Sequence, residues 1–306
     1  MQLMLFAVIF ALYPILIRKV DMLKKLLLFV CLLIPVNTAL ANGHLMLIGG
    51  HLDLDNKIIW EKIRELGVNS SELDTPLACI WVTNTGTPDE SVKFYSDIFE
   101  KYHIASTVVP IYFDPKVKPS WQGNQNSEDI AILIKQCDIY FFTGGDQSRT
   151  TNVLFNKDGS ETLALQTLRQ ELNNNKLLAG TSAGDMMQSD PMITGGNYNK
   201  LTNEDTVSLG KGLGFLEPNE IIVDSHFSQR NRLPRLIRAM EKSKINTGIG
   251  VDEETALLVE IDKNGKLISD WYAIGANQVI IVKFLTKDDN KEVEIITLRN
   301  MATPTI

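Results

Sequence analysis

The stretch "KLLAGTSAG" at residues 176–184 is the strongest local indication of the fold class. Its first half is a short apolar run, as in a buried strand, and its second half, Gly180 to Gly184, is a G-x-S-x-G pattern. The amphipathic run "DMMQSD" follows at once, so the pattern predicts a sharp strand-to-helix turn with the Ser182 hydroxyl at the carboxyl edge of a sheet. The alternative is a serine that only caps a helix in a glycine turn, because so short a match is weak by itself.

The segments before this turn repeat the same strand-and-helix order. Apolar runs predict strands at 44–50, 77–83, 107–113 and 138–147, and helix patterns begin at Pro88, after Ser127 and at Glu161. This alternation predicts the α/β class, with a mostly parallel sheet covered by helices on both faces. The later half is richer in strand patterns, at 219–227, 255–262 and 278–284.

The composition excludes some functions and allows one large core. The chain has 306 residues, of which 44% are hydrophobic and 22% charged, and its formal net charge is −7. That balance leaves no broad basic surface, so a nucleic-acid partner is not expected. No repeat or linker divides the chain, so one domain is expected at 43–285, followed by a C-terminal extension at 286–306.

The first 41 residues differ from the rest. From Met22, a plausible true start, the order is a Lys24-Lys25 head, an apolar run at 26–36 and Ala39-Leu40-Ala41, which is the pattern of a secretory signal cleaved near Ala41. We expect a secreted or periplasmic protein with no stable membrane span after cleavage. The rival is a membrane anchor at 3–17, whose 15 residues fall short of the roughly 20 that span a bilayer.

Two cysteines would remain after cleavage, Cys79 and Cys137, both in or beside apolar strand-like runs. Two buried thiols and a single disulfide both remain open at this point, because the spacing does not decide between them.

A serine nucleophile needs a base, and the chain has only four histidines. His226 alone ends an apolar strand pattern, so it is expected at the same sheet edge as Ser182, although a core or turn histidine is the plain alternative. The base needs a carboxylate, and the sequence does not rank Asp252, Glu253 and Glu254. The order serine, histidine, acid disfavours an ordinary α/β-hydrolase.

A local basic cluster follows the candidate base: Arg230, Arg232, Arg235 and Arg238. Guanidinium groups bind carboxylates through paired N–H donors, so the cluster favours a substrate rich in aspartate or bearing a free carboxylate. A solvated helix face is the alternative.

Four motifs together resemble the cyanophycinase family of serine peptidases, relatives of aspartyl dipeptidase. They are "FFTGGDQSR" (141–149), "AGTSAGDMMQSDPMI" (179–193), "VDSHFSQRNRLPRL" (223–236) and "GIGVDEETAL" (248–257). The resemblance covers about 44–284 and implies a flavodoxin-like, class I glutamine-amidotransferase-like three-layer sandwich. Dimers are common among the proteins it resembles, so a homodimer is among the expectations.

The resemblance also implies roles for single residues. Ser182 would be the nucleophile, His226 the base and Glu253 the acid partner. The oxyanion would be held by the Ala183 N–H and by the loop at Gly145 and Asp146. The implied substrate-binding residues are Gln147, Asp224, Ser225, Arg230, Arg232 and Arg235.

The implied activity is hydrolysis of β-aspartyl peptide bonds in cyanophycin, a poly-aspartate with arginine on its side chains, releasing β-Asp-Arg through an acyl-enzyme without metal or cofactor. An aspartyl or isoaspartyl dipeptidase and a catalytically silent carboxylate-binding protein are the alternatives. Two positions depart from the family pattern: Ser225 stands where glutamine is common, and Asp185 where a small residue is usual.

Overall fold

The computed structural model describes residues 43–71, 73–199, 201–262, 264–287 and 290–300. The signal region predicted at 1–41 lies outside these residues. Within them, no helix is both long enough and apolar enough to span a bilayer.

Short strands alternate with helices in the first half of the chain, as the apolar pattern predicts. The strands are β1 (Gly43–Ile48), β2 (Leu77–Trp81), β3 (Ala105–Val108), β4 (Ile139–Phe142), β5 (Leu177–Thr181), β6 (Met192–Gly195), β7 (Tyr198–Asn199), β8 (Glu204–Asp205), β9 (Ser208–Gly210), β10 (Ile221–Asp224), β11 (Thr247–Val251), β12 (Thr255–Ile261), β13 (Tyr272–Gly275), β14 (Gln278–Lys287) and β15 (Asn290–Arg299). The helices are α1 (Lys57–Ser70), α2 (Pro88–Lys101), α3 (Glu128–Gln136), α4 (Gln147–Leu154), α5 (Leu163–Leu172), α6 (Ala183–Met186) and α7 (Leu233–Ser243).

Seven strands form the central sheet, in the order β13-β12-β1-β5-β4-β2-β3. The five strands from β1 to β3 in this order are parallel, and β12 and β13 add antiparallel pairs beside β1. The mostly parallel α/β sheet predicted from the sequence is therefore confirmed. The strand predicted at 107–113 is shorter than expected: β3 ends at Val108, and Pro110, which has no N–H to donate, follows.

The central sheet is buried on both faces, and apolar side chains of neighbouring elements pack against each of them. On one face, α1 and α2 pack through Ile59, Trp60, Ile63 and Phe99. The other face packs against α3, α5 and a second sheet. Helices on both faces make the three-layer arrangement that the sequence predicts.

The second sheet has four strands in the order β10-β11-β14-β15, and α7 packs on it through Leu236 and Met240. The boundary expected after residue 285 falls inside β14, and β15 pairs with β14 along its whole length. Residues 290–299 therefore belong to the same sheet as the domain that precedes them.

Cys79 and Cys137 form a disulfide with a Cα–Cα distance of 5.8 Å. Cys79 lies in β2 and Cys137 directly follows α3, so the bond links the central sheet to a helix that covers it. Both cysteines are buried.

Candidate active site

Ser182 occupies a sharp turn between β5 and α6. Its backbone has φ 56° and ψ −108°, and α6 begins at the next residue. Positive φ is costly for a residue with a side chain, and such strain is concentrated at functional sites. Gly180 is required beside it, because a methyl group there would overlap the backbone of Gly184.

Ser182, His226 and Glu253 form an unbroken chain of hydrogen bonds. Ser182 Oγ lies 2.8 Å from His226 Nε2, and His226 Nδ1 lies 2.7 Å from Glu253 Oε1. Burial lowers the pKa of His226 from its usual 6.5, and Arg230 and Arg232 add to this effect against the opposing influence of Glu253. The imidazole is therefore neutral at neutral pH, as a proton acceptor must be.

His226 reaches Ser182 by a different route from the one expected. The strand before it, β10, belongs to the second sheet, so His226 does not share a sheet edge with Ser182. The end of β1 brings the two together: His226 N donates to Gly49 O at 2.7 Å, and Ser182 N donates to Ile48 O at 2.9 Å. Gly50 packs against the imidazole so closely that a methyl group at its Cα would overlap the ring.

The three carboxylates left unranked by the sequence have three separate partners. Glu253 binds His226, whereas Asp252 accepts a hydrogen bond from Ser228 N at 2.8 Å. Glu254 accepts hydrogen bonds from Asp53 N at 2.8 Å and Asn56 Nδ2 at 2.7 Å. Of the three, only Glu253 contacts the candidate base. Asp252 and Glu254 instead hold the segment at Ser228 and the loop at 53–56 in place.

Two of the three predicted oxyanion donors have free N–H groups. Those of Ala183 and Gly145 have no backbone acceptor among the residues described. A Cβ built on Gly144 would lie 3.9 Å from Ser182 Oγ, which brings this loop beside the nucleophile. Asp146 does not fit the predicted role, because its N–H donates to Asn84 O at 2.9 Å and its carboxylate caps α4 at Ser148.

Asp224 and Arg235 hold each other instead of facing a substrate. Asp224 is fully buried, and its carboxylate is bound by Arg235 Nη2 and, at 2.8 Å, by Arg235 Nε. These two positions therefore correct the prediction that both line the pocket. Arg232 also contacts Asp224, at 3.3 Å, but only through Nη1, and burial lowers its pKa to about 10. Arg230 is exposed and forms no ion pair with the described residues.

Two further predicted substrate contacts are enclosed. Gln147 is buried, and its Nε2 donates to Ile193 O at 2.6 Å. Ser225 is fully buried, and its Oγ has no hydrogen-bond partner within the described ranges. Of the predicted substrate-binding residues, Arg230 and Arg232 thus remain the two that keep guanidinium N–H groups without hydrogen-bond partners among the described residues.

Asp185 lies fully buried in α6, three residues after Ser182. Neither carboxyl oxygen has a hydrogen-bond partner in the described part of the chain. Burial raises the pKa of Asp185 well above its usual 3.8, and the neighbouring charge of Asp224 raises it further. The position that departs from the family pattern is therefore a buried carboxyl group whose surroundings favour its neutral form.

The cavity that opens onto the nucleophile is built from residues that sequence reasoning missed. It measures about 490 Å³, and Ser182 and His226 lie on one side of it. The opposite side comes from the loop after β1 and from α2, chiefly His51, Asp53, Phe94 and Tyr95. The only sequence signal was the Gly49-Gly50 pair that ends the first strand pattern. The residues described contain no group of three or more metal-ligating side chains placed to hold a metal ion.

Serine hydrolases use a serine, a histidine and a carboxylate that contact one another in this order. Here the three groups lie on a three-layer α/β fold. Comparison with known proteins agrees with this class. Residues 116–267, which include all three side chains, match the model of Peptidase family S51. The match and the curated relatives indicate a serine-type peptidase related to this family.

Among the curated relatives, two that carry the name cyanophycinase illustrate the similarity. One, from Synechococcus elongatus, is 30% identical over 215 residues, which are 69% of this chain and 62% of that relative. The other, from Trichormus variabilis, is 39% identical over 137 residues, 44% of each chain. The matched part of the chain thus spans less than two thirds of either relative.

A crystal structure of a peptidase from an acI-B1 Actinobacterium has a similar fold. It superposes with a TM-score of 0.58 at 19% identity and covers 84% of this chain and 97% of that one. At this identity the likeness supports the fold alone.

Proposed function

We propose that the protein is a serine peptidase that degrades cyanophycin-type polymers of aspartate and arginine and releases β-Asp-Arg. The hydrogen-bonded chain from Ser182 through His226 to Glu253 carries the proposal, because it supplies a nucleophile, a neutral base and the carboxylate that orients it. The relatives named cyanophycinase support the choice of substrate.

In the proposed reaction, His226 Nε2 takes the proton of Ser182 Oγ as the oxygen attacks the substrate carbonyl. The turn at Ser182 acts as a nucleophile elbow, and the N–H groups of Ala183 and Gly145 stabilise the oxyanion. His226 then gives the proton to the departing amine, leaving an acyl group on Ser182. Water, deprotonated by the same imidazole, releases the acyl group and restores the hydroxyl.

The products decide which bond breaks. In cyanophycin, arginine is joined to the β-carboxyl of each aspartate, and this bond survives intact in β-Asp-Arg. Release of the dipeptide therefore requires cleavage of the backbone amide between aspartates. The proposed reaction therefore breaks this backbone amide and not the β-aspartyl bond named in the expectation from the resemblance.

Arg230 and Arg232 are the proposed carboxylate contacts. Arg230 is exposed, and Arg232 keeps Nε and Nη2 without partners among the described side chains. Both influence the electrostatics of His226, which places their charge near the reacting centre. A bidentate guanidinium suits the free carboxylate of an arginine or aspartate unit.

A substrate panel read by mass spectrometry tests the proposal. Purified cyanophycin, short β-aspartyl peptides and α-aspartyl dipeptides would be incubated with wild type, with Ser182→Ala and with Ser160→Ala, a matched change on an exposed turn. We expect β-Asp-Arg from cyanophycin with wild type and Ser160→Ala, and none with Ser182→Ala. Preference for dipeptides over polymer would reject cyanophycin in favour of the dipeptidase activity, and no hydrolysis at all would reject both.

We also propose that the protein is exported. The signal pattern before Asn42 supports export, and so does the Cys79–Cys137 disulfide, because such bonds persist in oxidising compartments. N-terminal sequencing of protein recovered outside the cytoplasm should give a start near Asn42. Recovery of the intact N-terminus in the cytoplasm would contradict export.

A further inference from the structure

The cavity beside Ser182 has one wall made by the loop between β1 and α1, residues 49–56, and by one turn of α2. None of the six substrate-binding residues inferred from the sequence lines it. The cavity is therefore a second recognition surface at the nucleophile, separate from Arg230 and Arg232.

The loop at 49–56 is fixed by contacts on both sides. Glu254 binds Asp53 N and the Asn56 side chain, and Trp60 Nε1 donates to Asp53 O at 2.8 Å. Asp53 lines the cavity and is held there by its backbone. This preorganisation reduces the entropy lost when a ligand binds.

The Asp53 carboxylate keeps an open binding position. Oδ1 accepts a hydrogen bond from Asp55 N at 2.8 Å, whereas Oδ2 receives none from the residues described. The nearest cation, Lys101, is committed elsewhere, since its Nζ binds Asp55 Oδ1 at 2.6 Å and Leu54 O at 3.1 Å. Within the described ranges, Asp53 thus forms no ion pair, and it presents an unpaired negative charge to the cavity.

Two aromatic rings complete the wall. Phe94 is 47% exposed, and its ring lies 5.1 Å from that of Tyr95, edge to face. Burial raises the pKa of Tyr95 to about 12, so the phenol stays neutral. An aromatic face beside a carboxylate matches a guanidinium, which stacks on rings and donates hydrogen bonds in its own plane.

The position of the loop indicates which part of a substrate it meets. Gly50 packs against the edge of the His226 ring that carries Cε1 and Nε2. Nε2 is the atom that would protonate the departing amine in the proposed reaction. The loop that forms this wall therefore begins beside the atom that would meet the leaving group.

We propose that this cavity is a subsite for a cationic side chain, with Asp53 as its charge partner and Phe94 as its stacking surface, in the peptide unit on the leaving-group side of the scissile bond. The proposal rests on the peptidase function proposed above for Ser182. It assigns specificity to the loop at 49–56 and to α2.

Matched peptides test the subsite without requiring turnover. The parent is two β-Asp-Arg units joined through their aspartate backbone. One analogue carries citrulline, the neutral isostere of arginine, in the C-terminal unit, and the control analogue carries it in the N-terminal unit. Affinities would be measured by calorimetry on Ser182→Ala, alone and combined with Asp53→Asn or with Asp55→Asn. The Asp53→Asn change keeps the acceptor for Asp55 N, and Asp55 does not line the cavity.

We expect the C-terminal citrulline to weaken binding about tenfold relative to the parent, the scale of one charge-assisted contact. Asp53→Asn should remove this preference, and Asp55→Asn should keep it. Equal affinities for parent and C-terminal analogue, a preference that survives Asp53→Asn, or no binding of either peptide would each overturn the subsite. Hydrolysis of the parent by the wild type tests the peptidase function separately, because a citrulline preference without hydrolysis would reject only that function.

Discussion

Replacing Asp185 with alanine should stabilise the protein, an unusual result for a buried position beside a nucleophile. The side chain is completely enclosed, and neither of its oxygens has a hydrogen-bond partner within the described residues. A buried unsatisfied polar group costs about 1–3 kcal/mol, and the deletion removes two such atoms from a helix that accepts alanine well. We expect Asp185→Ala to raise the free energy of unfolding by at least about 1–3 kcal/mol at neutral pH, because the effect of the raised pKa adds to the cost of the two unsatisfied atoms.

The effect should depend on pH in one direction. The folded protein holds the pKa of Asp185 above 3.8, the ordinary value that applies in the unfolded chain. Below pH 3.8 the carboxyl is protonated in both states, and the stability associated with the raised pKa is fully present. Between pH 3.8 and the folded pKa this stability is lost by about 1.4 kcal/mol per pH unit, because only the unfolded chain gives up its proton there. The advantage of Asp185→Ala should therefore be small near pH 4 and larger at pH 8.

Urea unfolding followed by tryptophan fluorescence at pH 4.5 and pH 8 would measure both quantities. Asp97→Ala is the matched control, because Asp97 is exposed in a surface pair with Lys93 and its loss should change stability by less than about 0.5 kcal/mol. An Asp185→Ala variant that is less stable than wild type at pH 8, or whose gain is the same at both pH values, would refute the reasoning.

Three further predictions concern the triad, its packing and the disulfide. Glu253→Gln should lower kcat by about 10²–10⁴-fold, and wild-type kcat/KM should rise with pH through a pKa below 6.5 because His226 acts in its neutral form. Gly50→Ala should lower kcat/KM at least about 100-fold by displacing the imidazole, whereas Gly86→Ala, whose added methyl would make only an ordinary van der Waals contact with Arg149, should not; equal rates would contradict the packing. The Cys79→Ala/Cys137→Ala double variant should lose about 4 kcal/mol of stability, the loop-closure value for a 58-residue separation, and an unchanged urea midpoint would argue against the bond.

The sheet and the elbow region were predictable because each has a local signature. Parallel strands buried on both faces read as continuous apolar runs, and the glycines around Ser182 mark a turn that other residues cannot make. The membership of β10 in a second sheet has no such signature. Strand pairing depends on partners far along the chain, here β11 and β14, and periodicity does not report them.

The same limit applies within the site. His226 was singled out correctly for contact with Ser182, but the contact comes from the end of β1 and not from a shared sheet edge. The pairing of Asp224 with Arg235 depends on burial, which the sequence does not report. Within the same cluster of basic residues, Arg232 contacts Asp224 through Nη1 alone and Arg230 is exposed. Asp53 and Phe94 carried no motif, because their role at the cavity comes from how α1 and α2 pack beside β1.

Covalent labelling tests whether His226 activates Ser182. Wild type would be treated with a fluorophosphonate probe, digested and mapped by mass spectrometry, beside His226→Ala. We predict a single adduct on Ser182 that abolishes hydrolysis, forming at least about 100-fold more slowly without the imidazole. Labelling of Ser182 at the same rate in His226→Ala, or hydrolysis that continues after Ser182 is fully labelled, would contradict the account.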